Sequence, residues 1–144
     1  MNRPPVSKIT TTLLLFSDGG ARGNPGPAAG AYVIVDSNGK VIDQGGKFLG
    51  KATNNQAEYQ GLILGMGKAL EYRPNILHVY MDSELIVCQL NQEYRVKDSG
   101  LKPLFAQVQE LRLQFPTVTF SHIPREKNKQ ADKLVNKTID HNMR

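Results

Sequence analysis

Short apolar runs separated by turn residues set the frame of this chain. "TLLLFS" over Thr12–Ser17 is compact and apolar and predicts a first strand. Gly30–Val35 predicts a second, and the "DSNGK" after it carries an Asn38-Gly39 pair of the kind that closes a hairpin. Val41–Leu49 returns as a third strand, completing an antiparallel meander. Between the first two runs, "GGARGNPGPAAG" has so few side chains that it reads as a loop, with Asp18 ending the strand before it.

The period then changes. Thr53 followed by Gln56 is a capping-box pattern, and it starts a helix that runs to about Tyr72 and is stopped by Pro74. Ala57, Gly61, Gly65 and Ala69 recur every four residues and form a ridge of small side chains on that helix. A helical glycine costs about 1 kcal/mol relative to alanine, so such a ridge predicts close packing against a sheet. Ile76–Met81 is a fourth strand; coming after a helix, it is expected to run parallel to its neighbour. Ser83–Asn91 reads as a short helix. Leu101–Phe115 reads as a longer one, through Leu101, Leu104, Phe105, Val108, Leu111 and Leu113. Thr117–Ser121 is a fifth strand, "HIPREKN" a loop, and Lys129–Asp140 a closing helix. The order βββαβααβα predicts an α/β fold. Its five-stranded mixed sheet joins an antiparallel meander to two parallel strands and is flanked by helices. A single domain is expected over residues 1–144, with a flexible tail at 1–10.

Composition narrows the possible functions. No apolar run is long enough for a membrane span, so a cytoplasmic location and no membrane partner are expected. Nothing in the chain points to an oligomer, and a monomer is expected. The single cysteine, Cys88, excludes an intrachain disulfide and a cysteine-based metal cluster. Eighteen Lys and Arg against 13 Asp and Glu give a net charge of +5, which favours a polyanionic partner. Against that basic background Asp18, Glu58, Asp82 and Asp132 stand out at element ends. Each has an ordinary explanation alone. Asp18 could be a turn former, Asp82 an N-cap before "SELIV", Glu58 a partner of the helix dipole, and Asp132 the partner of a lysine. Brought together, four carboxylates would repel unless a cation sat among them, and hard divalent ions take oxygen ligands.

Four segments follow one another in order: "DGGARGNPGPAAGAYVI", "TNNQAEYQGLILGM", "YMDSELIV" and "HIPREKNKQADKLVN". Together they resemble type 1 ribonuclease H, in the short prokaryotic form that lacks the basic protrusion, from about Leu13 to the end of the last helix. The resemblance implies a ribonuclease H-like fold. It also implies hydrolysis of the RNA strand of RNA–DNA hybrids with two Mg²⁺ ions, or Mn²⁺ as a substitute, leaving 5′-phosphate and 3′-hydroxyl ends. It makes Asp18, Glu58, Asp82 and Asp132 the metal-binding acids, and gives His122 a part in proton transfer or product release. Asn24, Asn54 and Asn55 match positions that read the minor groove and the 2′-hydroxyls, the groups that distinguish RNA from DNA. Thr53 matches a contact to a DNA-strand phosphate, Gly19 and Gly20 would admit the hybrid backbone, and Lys97 would sit near a phosphate.

The chain also departs from that pattern. Asp98 stands where relatives carry an amide, Glu84 where some carry glutamine, and "NQEYRVKDSGLKPL" has no basic insertion. Weaker binding of the hybrid, or use of another basic face, is therefore expected, and without an N-terminal hybrid-binding domain so is low processivity. Two rival readings remain: a non-catalytic hybrid-binding module, and a DNA nuclease of the same superfamily. The full set of acids argues against the first, and "TNN" with "GNPGP" against the second.

Overall fold

In the computed structural model the described residues are 11–143, and the tail expected at 1–10 lies outside them. Strands β1 (Thr12–Ala21), β2 (Gly26–Asp36) and β3 (Val41–Ala52) form the meander. Helix α1 (Asn54–Glu71), β4 (Ile76–Met81), α2 (Glu84–Leu90), α3 (Lys102–Arg112), β5 (Thr117–His122) and α4 (Lys129–Asn142) follow. The sheet order is β3-β2-β1-β4-β5, with β1 parallel to β4 and β4 parallel to β5. No helix among the described residues is long and apolar enough to cross a membrane.

Alternation along the strands builds two cores. Leu13, Leu15, Tyr32, Ile34, Leu77 and Val79 face the side covered by α1, with α2 and α3 completing that layer. Ala29, Ala31, Val33 and Val35 face the other side, where α4 packs with Ala131, Val135 and Ile139. The small-residue ridge does what its spacing predicts. A Cβ on Gly61 would lie 2.2 Å from the Asp18 carbonyl oxygen, and one on Gly65 would lie 2.7 Å from Leu15 Cδ1. Thr53 caps α1 in a full capping box with Gln56, as expected.

The structure corrects the reading of the bare segment. β1 does not stop at Ser17, nor does Asp18 end it: the strand continues to Ala21, and Asp18 pairs with Ala31 of β2. β2 begins at Gly26 rather than Gly30, leaving only Arg22–Pro25 as the connection. Part of what read as open space is filled by protein. A Cβ on Gly19 would lie 2.1 Å from the Ala57 backbone, and one on Gly30 would lie 2.5 Å from the Gly61 nitrogen. These glycines therefore admit helix α1 onto the sheet, a non-local demand that looks like loop composition in one dimension. The third helix is also shorter than its periodicity suggests, ending at Arg112, and Leu113 is 84% exposed.

Candidate active site

Pairing between β1 and β4 ends at Phe16 and Tyr80, while β1 runs on for five more residues. Here the meander meets the crossover unit, and the carboxyl ends of two parallel strands leave a crevice, the usual place for a site in an open α/β sheet. Asp18 lies just past the last β1–β4 pair, and Asp82 is the first residue after β4. Gly19 faces α1 and Gly20 faces Val135 of α4, so alternation puts Asp18 on the α4 side. Glu58 enters from the second turn of α1 and Asp132 from the first turn of α4.

One carboxylate oxygen from each of Asp18, Glu58 and Asp82 lies within 4.8 Å of the others, a group able to hold a divalent metal ion. Asp132 joins them in lining a cleft of about 430 Å³ with Gly19, Gly20, Asn54 and Asn55. The ordinary explanations for the acids do not hold. Ser83, not Asp82, caps α2 by accepting a hydrogen bond from the Ile86 N–H. Glu58 is only 7% exposed, too buried for a surface partner of a helix dipole. Among the described residues the ion pairs are Arg22–Asp140 and Lys68–Glu71, and neither involves Asp132.

Burying these carboxyls side by side disfavours their charged forms. Burial, with the Asp82 and Asp132 charges adding to it, pushes the Asp18 carboxyl up to about 7, against a hydrogen bond from Glu58 that works the other way. Glu58 is held well above its ordinary range, by burial first and then by the charge of Asp18. Without a metal, burial makes both carboxyls hold their protons more tightly than free carboxyls do. Glu58 Oε1 is nevertheless buried without a hydrogen-bond partner. An orphaned carboxylate oxygen beside two more carboxylates fits a divalent cation.

On one side of the cleft the chain builds a clasp. The Asn54 N–H donates to Asn24 Oδ1 at 2.9 Å, and the Ala21 N–H donates to Asn54 Oδ1 at 2.9 Å. These bonds tie the β1–β2 turn to the N-terminus of α1. They also fix both amides with their Nδ2 donors free of the clasp. Arg22 anchors the same turn to α4 through Asp140 and Asn136, and lines the cleft together with Arg125.

Four expected site residues lie outside the lining: Asn24 and Thr53, which are held at its edge by the clasp and the α1 cap, and His122 and Lys97. His122 is exposed at the end of β5, paired with Met81 directly before Asp82. Lys97 is exposed in the irregular connector between α2 and α3. Asp98 in that connector accepts a hydrogen bond from the Gly100 N–H at 2.7 Å, and Glu84 is exposed in the first turn of α2. Sequence reasoning missed Asn128, Arg22, Arg125 and Asn136. For Asn128 a signal existed, because it stands four residues before Asp132 and so on the same helical side.

Comparison with known proteins agrees with this geometry. A family profile described as reverse transcriptase-like matches residues 16–138. Ribonuclease HI of Halobacterium salinarum is 37% identical over 125 residues, covering 87% of this chain and 63% of that protein. A bifunctional protein of Mycobacterium tuberculosis is 40% identical over 129 residues, and the chain spans 35% of its length. Among solved structures, LC11-RNase H1 in complex with an RNA/DNA hybrid superimposes with a TM-score of 0.88 at 40% identity. That match covers 92% of this chain and 99% of the other. The Halobacterium salinarum RNase H1 structure also gives a TM-score of 0.88, at 35% identity, over 90% of this chain and 98% of that one. With the matched profile, these relatives and the acids converging at the β1–β4 crevice, the chain belongs to the ribonuclease H family.

Proposed function

We propose that this protein is an endoribonuclease that hydrolyses the RNA strand of RNA–DNA hybrids, leaving 5′-phosphate and 3′-hydroxyl ends. The observation that carries the proposal is the convergence of Asp18, Glu58 and Asp82 within 4.8 Å, in a chain of net charge +5. Such a cluster would repel phosphate if it stayed uncompensated. Asp18, Glu58, Asp82 and Asp132 would hold two Mg²⁺ ions, with Mn²⁺ as a substitute. Bound there, the ions supply an activated water and charge stabilisation for the leaving oxygen of a phosphodiester.

The protein's own groups do the rest. Asp18 and Glu58, whose burial favours their protonated forms, would give up protons as the site loads. Arg22 and Arg125, at the cleft, offer charge to the phosphates on either side of the scissile bond. The free Nδ2 donors of Asn24 and Asn54, with the Asn55 amide beside them, face a substrate rich in acceptors. A 2′-hydroxyl and the minor-groove edge of a base both accept such bonds, so the clasp supports selection of the RNA strand. Thr53, its hydroxyl already capping α1, is adjacent for a DNA-strand phosphate, and Gly19 and Gly20 keep the β1 side of the cleft low. Lys97 adds charge from the connector. His122, beside the β4 end that delivers Asp82, is placed to relay a proton or speed product release. All four acids come from one chain, so a monomer suffices. LC11-RNase H1, with the same fold, was solved on an RNA/DNA hybrid, which supports the substrate.

The test is cleavage of labelled hybrid, double-stranded RNA and single-stranded RNA in Mg²⁺, by the parent and by Asp82→Asn. Cleavage of the hybrid's RNA strand by the parent alone is expected. Equal activity in both proteins would sink the site, and binding of hybrid without cleavage in any metal would make the protein a binding module.

A further inference from the structure

Asn128 is 2% exposed, among the most buried polar side chains described, yet it belongs to the loop entering α4. Its Nδ2 donates to the Ser17 carbonyl at 3.0 Å and to Asp82 Oδ2 at 3.1 Å. Its own carbonyl accepts the Asp132 N–H at 3.1 Å. One residue thus touches the backbone directly before Asp18, the carboxylate of Asp82, and the turn that carries Asp132. The side chain makes no capping bond to α4. Its Oδ1 is buried without a partner, so the carboxamide is half satisfied. A group kept only to fill the core would cost less as an apolar residue, because an unpaired buried acceptor is expensive.

Resting on the metal-site reading above, we propose that Asn128 is a positioning residue for metal binding. By engaging Asp82 Oδ2 from the backbone of β1, it fixes the distance and rotation between the acids of two adjacent strands and leaves Asp82 Oδ1 free as a ligand. The pairing of β1 with β4 has already ended at this point, so no β1–β4 ladder hydrogen bond holds Asp82 beside Asp18, and the ladder to β5 reaches only Met81. Asn128 takes over from the ladder. Outer-shell partners of this kind change metal affinity by about 10- to 100-fold when removed.

The experiment titrates Mn²⁺ calorimetrically into the full chain and into Asn128→Ala, without nucleic acid. Mn²⁺ binding weakened about 10-fold or more is expected in the variant. In cleavage assays at saturating metal, its KM for hybrid should stay within about twofold of the parent's. Equal Mn²⁺ affinity in the two proteins overturns the role of Asn128 alone. A parent that binds no Mn²⁺ overturns the metal site itself, and Asn128's role with it. A second measurement needs no variant: in the parent, the Asn128 side-chain amide resonances should move during a Mg²⁺ titration with the dissociation constant of the site. Amide resonances that stay still while the metal binds overturn the proposal even if the alanine variant fails to fold.

Discussion

Replacing Asp18 by asparagine should make the metal-free protein more stable, by an amount that grows with pH. Burial raises the Asp18 carboxyl from 3.8 to about 7 in the folded chain. The folded state therefore holds this proton more tightly than the unfolded state. The stability that goes with it is fully present below about pH 4 and is lost as the pH rises through about 7. At 1.36 kcal/mol per pH unit the loss comes to roughly 4 kcal/mol, a large share of the 5–15 kcal/mol typical of a domain. Asparagine keeps the size and polarity of the side chain but carries no charge, and it also frees Glu58 from its nearest like charge. The assay is urea unfolding of parent and Asp18→Asn in EDTA from pH 4.5 to 8.5. Taking the difference between the two proteins cancels the titrating groups away from Asp18 and leaves the contribution of Asp18 together with its neighbour Glu58. With a urea m-value of about 2 kcal/mol/M, the variant's midpoint should exceed the parent's by about 2 M at pH 8. The gap should close toward pH 4.5, and Mg²⁺ should narrow it at pH 8 by stabilising only the parent. A gap that is absent at pH 8, or independent of pH, would refute the view that the site stores repulsion for a cation to relieve.

Loading the site should also release protons. Because burial raises both the Asp18 and the Glu58 carboxyl, Mn²⁺ binding at pH 6.5 should liberate protons; calorimetry in buffers of different ionisation enthalpy measures them, and identical heats would contradict it. Two glycines of α1 should respond in opposite directions to alanine. Gly61→Ala would put a Cβ 2.2 Å from the Asp18 carbonyl oxygen and should cost about 3 kcal/mol or prevent folding, whereas Gly67, with nothing within 4 Å, should gain about 1 kcal/mol by urea midpoint. Thr53→Ala removes the capping box and should cost about 1 kcal/mol in thermal unfolding. His122→Ala should lower kcat on hybrid on the order of 100-fold while leaving calorimetric Mn²⁺ affinity unchanged, and an equal loss of metal affinity would assign the histidine to the wrong task.

Much of the architecture is legible in one dimension because it rests on local causes. The capping box at Thr53, the four-residue ridge from Ala57 to Ala69, the Asn38-Gly39 turn and the alternation in "ILHVYM" each act within a few residues, and the structure keeps all of them. The four acids were also findable, since the segment around each resembles one family, although Asp18 lies inside β1 and not at its end. Tertiary structure decided what depends on partners far along the chain. "GGARGNPGPAAG" looks like a loop, because glycine, proline and alanine are what a turn uses. They are equally what two strands need when a helix backbone lies almost against them, and only α1, some forty residues on, tells the two cases apart. The early end of the β1–β4 ladder, which opens the crevice, is likewise a property of two strands and not of either alone. The spacing of Asn128 from Asp132 could flag it, but the role proposed for it lies in bonds to Ser17 and Asp82, 111 and 46 residues away. Propensity, periodicity and capping are short-range and can be read along the chain, whereas close approach, buried charge and hydrogen bonds between distant segments exist only once the chain has folded.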